Sequence, residues 1–156
     1  MKKDEALIEG KDEPILLKWS ERIPRWRESV LPLADKPGWA RTGLGATLGG
    51  EAIRIMAVHL PYGQASPWHS ARWEQYFLLL DGALEVGLGP SPDKMKHVHM
   101  EPGDLLYFPV GIGFDYRNIA NDGTTVIVIG GKVNGAWPTE TTYLFPGEDK
   151  PFSRPW

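Results

Sequence analysis

Residues Gly63–Gly82 read GQASPWHSARWEQYFLLLDG, and the rest of the chain is read outward from them. The stretch sets a proline-flanked turn before a short histidine-containing strand, Trp68–Ala71. An apolar strand, Gln75–Leu80, follows. It ends at Asp81-Gly82, a dipeptide that favours a two-residue hairpin turn and so pairs it with Ala83–Leu88. A second stretch, Gly103–Asn118, reads GDLLYFPVGIGFDYRN and holds two more strands, Leu105–Phe108 and Phe114–Asn118, around the loop Pro109–Gly113.

The same alternation of short apolar runs and turn residues continues on both sides. Upstream, Thr42–Leu48 and Ala52–Leu60 flank Gly49-Gly50, another hairpin signal. Ile53, Ile55, Ala57 and His59 share one face of the second run, and Met56, Val58 and Leu60 share the other. Two largely apolar faces suit a strand buried on both sides. Downstream, Gly89–Lys94 reads as a loop, Lys96–Glu101 as a strand and Pro102-Gly103 as a turn. Thr124–Ile129 and Thr142–Phe145 complete the clear strands. Further out, Ile15–Trp19 and Ser29–Leu33 are candidate short strands, and Asp4–Glu9 has room for a helical turn within a charged arm, residues 1–14. The tail Pro146–Trp156 is expected to lie extended across the body, anchored by Phe152 and Trp156. About ten short strands with frequent turn signals predict an all-β sandwich or barrel.

Composition narrows the function classes. At 156 residues the chain suits one domain with a real core. Apolar residues make up 42% and charged residues 24%, as in a soluble globular protein. A net charge of −3 argues against a nucleic-acid or anionic-membrane partner. There is no cysteine, which excludes disulfides, thiolate ligands and a cysteine nucleophile, and fits a cytoplasmic location. The start, MKKDEALIEG, lacks the apolar core of a signal peptide, and no apolar run approaches the ~20 residues of a membrane helix. No phosphate-cradling loop or nucleophile elbow occurs, and the glycines around Gly43–Gly50 lack the following helix of a dinucleotide site.

The two central stretches resemble the two motifs of the cupin family of small jelly-roll barrels. The first family motif is G-x5-H-x-H-x3-E-x6-G, and here the corresponding positions are Gly63, His69, Ala71, Gln75 and Gly82. The second is G-x5-P-x-G-x2-H-x3-N, and here they are Gly103, Pro109, Gly111, Phe114 and Asn118. Every structural position matches at the right spacing. The resemblance implies a single cupin domain over residues 1–156, with a jelly-roll barrel core at 42–133 between the arm and the tail at 146–156. It implies turns at Gly82 and Gly103 where positive φ is needed. It also implies a homodimer, since cupins commonly pair through outer sheets and exchanged N-terminal strands.

In metal-binding cupins the three ligand positions of the first motif and the one of the second hold a metal. Those positions are His69, Ala71, Gln75 and Phe114, and only His69 is intact. Alanine and phenylalanine have no donor atom, and an amide oxygen is a weak neutral ligand. Glu74 is adjacent to Gln75, and a one-residue slip or bulge would exchange the two.

The expected site is therefore a pocket walled by Trp73, Phe114 and Tyr116, with His69 and Gln75 as its polar groups and Ala71 leaving room. Such a pocket suits an aromatic or planar apolar molecule, although interior aromatics also simply fill small barrels. His97 and His99 face one way but sit on the outer face, given that Val98 and Met100 look inward, so a solvated or interface pair is favoured over a metal site. His59 is expected to be a satisfied core histidine. Trp19, Trp26, Trp39, Trp137 and Trp156 are assigned to packing of the arm and tail or to a dimer contact. The leading expectation is a metal-independent enzyme, an isomerase, cyclase or lyase, with His69 as acid/base and Gln75 as its hydrogen-bonding partner. One alternative is a non-catalytic binding or regulatory protein. The other is a metal-dependent lyase or dioxygenase with a divalent metal in a site rebuilt from His69, Gln75 or Glu74, and a histidine brought in from elsewhere, such as His59.

Overall fold

Why the chain winds as it does follows from which strands pair. The computed structural model describes residues 7–9, 14, 16, 31–32, 39–41, 47–138 and 140–155. The central strands are β5 (Ile53–Leu60), β6 (Ala65–Ser70), β7 (Gln75–Asp81), β8 (Leu84–Ser91), β9 (Lys94–Met100), β10 (Leu105–Phe108), β11 (Gly113–Asn118) and β12 (Thr124–Gly131). They pair outermost with outermost: β5 with β12, β6 with β11, β7 with β10 and β8 with β9, all antiparallel. This is one long ribbon folded at the tip between β8 and β9. Rolling it up brings β12 against β7 and β11 against β8, which makes two sheets with facing interiors. That is the jelly roll expected from the motifs.

Short strands extend both sheets. β4 (Thr47–Gly49) pairs with β5 antiparallel, and β1 (Leu7–Glu9) pairs with β4 in parallel. On the other sheet β13 (Glu140–Leu144) pairs with β6, and β14 (Phe152–Pro155) pairs with β13. β2 (Leu31–Pro32) and β3 (Ala40–Arg41) form a separate two-stranded sheet. The sheet orders are β1-β4-β5-β12-β7-β10 and β14-β13-β6-β11-β8-β9, so ten antiparallel strands carry one further strand at each of two edges.

Three expectations change. Residues 7–9 are a strand and not part of a helical turn. So short a segment is a poor helix nucleus, and the edge of β4 offers its backbone partners at once. Gly89–Ser91 continues β8, leaving Pro92-Asp93 at the hairpin tip. The backbone of Lys94 comes so close to Gly89 that a Cβ there would lie 1.9 Å from the Lys94 carbonyl oxygen, so this glycine marks close approach within a ladder. The tail, too, is more than an anchored extension, because residues 152–155 form β14. Of the expected strand at Ser29–Leu33, the described residues Leu31–Pro32 form β2 and the other three lie outside the described residues, as does Ile15–Trp19 apart from Leu16, which is in no strand. Trp19, Trp26 and Trp156 also lie outside them.

The space between the sheets is filled by alternate residues of each strand: Met56, Val58 and Leu60 from β5, Phe77 and Leu79 from β7, Leu84 and Val86 from β8, and Val126 and Val128 from β12. Each such fully buried side chain stabilises the fold by ~1.5–3 kcal/mol. The other face of the first sheet carries a smaller apolar cluster of Ala57 and Ile127, with Ile55, Leu78 and Ile129 against it. Both faces of β5 are thus apolar, as its sequence indicates.

The motif residues earn their spacing at the turns. Gly82 has φ +80°, and a Cβ there would also lie 2.3 Å from Thr124 Oγ1, so no other residue fits; Gly103 likewise has φ +97°. Asn118 ties three segments together. Its amide donates to the Leu60 carbonyl at 3.0 Å and the Asp122 carbonyl at 2.6 Å, and its Oδ1 accepts from Ala120 N–H at 2.8 Å and the Thr124 hydroxyl at 2.9 Å. The loop after Pro109 is clamped by Ala71, whose N–H donates to the Ile112 carbonyl while its carbonyl accepts from Gly111 N–H.

Candidate functional site

His69 stands at the end of β6, and a β-bulge aims it. Phe114 pairs with His69 and Tyr116 with Ser66, so three steps along β6 match two along β11. Partners directly opposite in a ladder face the same way. Phe114 and Tyr116 belong to the core, so Ser66 and His69 both face the interior despite their odd separation. The bulge also brings the His69 Nδ1 to 2.8 Å from the Pro67 carbonyl oxygen. A carbonyl can only accept, so Nδ1 carries the proton and Nε2 presents a lone pair.

The imidazole is half-buried among rings. Its centroid lies 4.2 Å from that of Phe114, 5.1 Å from Tyr143 and 6.2 Å from Tyr116. Burial among these rings lowers its pKa to about 4, against a smaller opposing pull from the Pro67 carbonyl. His69 is therefore neutral at pH 7 and offers a hydrogen-bond acceptor.

The remaining expected residues face inward but are packed more tightly than a pocket wall would be. Ala71, Trp73, Gln75, Phe114 and Tyr116 are all buried. Phe114 touches Phe77 and Phe108, and Tyr116 touches Phe77, so these rings make one continuous aromatic core. Trp73 Nε1–H donates to Gln75 Oε1, and the Trp73 ring lies against Gly130. Trp137 meets Trp73 edge-on at 5.8 Å, with the Arg54 guanidinium 4.2 Å from its centroid. So His69 and Gln75 belong to different neighbourhoods: His69 to Phe114 and Tyr143, Gln75 to Trp73 and Gly130.

The register question is answered by burial: Gln75 is buried and Glu74 is exposed. Glu74 lies on the outer face near Tyr107, whose phenol pKa is raised by desolvation and by the Glu74 carboxylate. His59 also faces outward, buried with its Nδ1 3.1 Å from Thr125 Oγ1, as a satisfied core histidine. Neither residue can join His69 to rebuild a metal site. His97 and His99 stand exposed on the outer face of β9, with His99 Nε2 3.0 Å from Glu85 Oε2. Asp115, on the outer face of β11, has its pKa raised by burial, while the Gly87 N–H and a nearby His97 charge pull it down. Among the described residues no three His, Cys, Asp or Glu side chains gather as metal ligands would.

The donor set does not fit the metal of the motif family. Ala71 and Phe114 offer no donor, Gln75 Oε1 is engaged by Trp73, and the Phe114 ring packs against the His69 imidazole. One imidazole is too few ligands for a stable first-row centre.

Sequence reasoning missed Tyr143. It pairs with His69 across β13 and β6, on the same face, and Phe152 pairs with Tyr143 in turn. The strand around Tyr143 is legible, but both residues lie beyond the motifs, and no local pattern says which strand β13 joins.

Comparison with known proteins agrees with the topology. The Cupin domain family matches residues 56–130, from β5 to β12. No curated protein matches the chain by sequence. Among solved structures, an RmlC-like cupin family protein from Methanocaldococcus jannaschii, with a double-stranded β-helix fold, is similar at TM-score 0.52 and 16% identity, over 78% of this chain and 93% of that one. The oxalate decarboxylase of Bacillus subtilis, an enzyme with Mn(II) centres, is similar at TM-score 0.52 and 16% identity, over 60% of this chain. The match spans only 24% of that enzyme's length. At such identity the likeness concerns the fold alone. Residues 56–130 thus match the Cupin domain family, and the ribbon of eight paired strands with the two motifs at its turns is the cupin double-stranded β-helix fold.

Proposed function

We propose that the protein is a small-molecule-binding cupin that holds its ligand at His69 without a protein-bound metal. The observation that carries this reading is the hydrogen bond from His69 Nδ1–H to the Pro67 carbonyl. It leaves Nε2 as a fixed acceptor, beside aromatic rings and at the half-buried end of β6. A lone, oriented polar group in apolar surroundings is what fixes the pose of a small ligand.

The acid/base enzyme, an isomerase, cyclase or lyase, is the second reading, and the fixed tautomer favours it too. Two features rank it lower. A base whose conjugate acid has a pKa of about 4 draws protons weakly at pH 7. Its Nδ1–H is also spent on a backbone carbonyl, where a carboxylate would have raised its basicity.

Three measurements test these readings. Elemental analysis of purified protein is expected to show sub-stoichiometric Mn, Fe, Ni and Zn; a near-stoichiometric metal would overturn the metal-free reading. Small-molecule titrations followed by NMR are expected to shift His69 and to fail in His69→Ala. If a turnover substrate emerges, turnover lost with affinity kept in His69→Gln would promote the enzyme reading over simple binding.

A further inference from the structure

The connection from β12 to β13 carries a chemically reactive turn. Val133 and Ala136 pair antiparallel, each N–H donating to the other's carbonyl at 3.0 Å. Between them Asn134 and Gly135 have φ +51° and +76°, the left-handed pair of a two-residue hairpin turn. Both are exposed, and a Cβ built on Gly135 meets no atom within 4 Å. The Asn134 side-chain amide and the Gly135 backbone nitrogen are thus chain neighbours within reach of water, with no side chain at residue 135 to shield the nitrogen. Close by, Trp137 is half-buried. It meets Trp73 edge-on, with the Arg54 guanidinium over its ring and Lys132 Nζ 5.8 Å from its centroid.

We propose that Asn134-Gly135 is a site of spontaneous chemical modification and that Trp137 sets its rate. The Gly135 nitrogen attacks Asn134 Cγ. An N–C bond forms, the C–N bond of the side-chain amide breaks, and ammonia leaves with the Gly135 proton. Water then opens the cyclic imide at either carbonyl, giving aspartate, or isoaspartate with the main chain rerouted through the side chain. Water is the only co-reactant. The chain's other two asparagines lack this arrangement. Asn118 gives its amide to two carbonyls, and the nitrogen that follows it, of Ile119, donates to the Ala83 carbonyl. Asn121 is exposed but is followed by Asp122, whose side chain flanks the nitrogen. At Asp81-Gly82 and Asp122-Gly123 a carboxylate is a poorer electrophile than an amide, and each accepts from a backbone N–H, of Thr125 and Gly123 respectively. A planar imide cannot stand in for two left-handed residues while Val133 and Ala136 stay paired, so the reaction runs from the opened turn. Opening pulls on Trp137, and its packing on Trp73 holds the turn shut. Either product places a negative charge two residues from Lys132, and isoaspartate adds a main-chain atom to a turn built for two residues.

The test is incubation of the full-length protein in mildly alkaline buffer, followed by peptide mapping by mass spectrometry and enzymatic methylation of isoaspartate. Conversion is expected at Asn134 and not at Asn118 or Asn121. Gly135→Ala, which sets a side chain beside the nitrogen, is expected to slow it about tenfold even though it strains the turn. Trp137→Ala is expected to speed it several-fold in the folded protein and not in urea, where the turn is open with or without the indole. Trp137→Leu, which keeps apolar bulk, is expected to give a smaller acceleration and carries the test if the alanine variant does not fold. Asn134 left intact while the urea-unfolded chain converts, or conversion at Asn118 or Asn121 at the same rate, overturns the site. An unchanged rate in the Trp137 variants, or an equal acceleration in urea, overturns the role of Trp137.

Discussion

His69 concentrates the chemistry of the molecule in one protonation state. An unfolded histidine titrates near 6.5 and this one at about 4, so between those values the unfolded chain holds the extra proton. The stability linked to neutral His69 is complete above pH 6.5, is lost as pH falls through the window, and stops falling below about pH 4. The loss is on the order of 3 kcal/mol. Urea unfolding at several pH values is expected to show a shallower acid slope in His69→Gln than in the parent protein; identical slopes would place the imidazole in water. Ser66 makes a complementary case. A buried hydroxyl without a partner costs ~1–3 kcal/mol, so Ser66→Ala is expected to leave the unfolding free energy unchanged or raised by up to ~1 kcal/mol. A clear destabilisation would mean that the hydroxyl is satisfied after all. Gln75 teaches the same lesson in reverse: its carbonyl looks available in sequence, yet it accepts from Trp73.

Among the elements, the turn between β11 and β12 depends most on one side chain. Asn118 satisfies two carbonyls and receives two donors, bridging β5, β11 and β12. Asn118→Ala is expected to cost ~2–4 kcal/mol, since it strips partners from buried backbone groups as well as its own bonds. Denaturant midpoints for this variant, and for Asn118→Asp, check it. The aspartate keeps the accepting oxygens and loses the amide donors, so an intermediate loss is expected. The bulge in β6 acts at the same scale. Regular alternation would set Ser66 and His69 on opposite faces, and one extra residue puts both inside. The bulge therefore decides whether the imidazole faces the barrel at all.

For the whole molecule, the outer face of the first sheet raises the question of a partner. Tyr76 and Leu80 on β7 and Leu105 and Tyr107 on β10 stand exposed in adjoining ladder positions, continuous with the cluster around Ala57 and Ile127. Exposed apolar surface of this kind marks an interaction face. We propose that a second copy covers it. Gel filtration is expected to give a dimer of the 17.4 kDa chain, converted to monomer by Tyr107→Lys; elution of the parent protein as a monomer would contradict this. The paired-ribbon topology was legible in the sequence because turn chemistry is local. Asp81-Gly82, Pro102-Gly103 and Asn118 each need particular residue types at particular places, and their spacing sets the strand lengths. The poverty of metal donors was legible too, since alanine and phenylalanine have none in any fold. Tertiary structure alone decided what surrounds His69. Which strand lies beside β6, and which rings it brings, depends on contacts between residues more than seventy positions apart, and no local pattern encodes those. The pairing of β13 with β6 puts Tyr143 next to the imidazole, and burial among the rings lowers its pKa far enough to keep it neutral at pH 7.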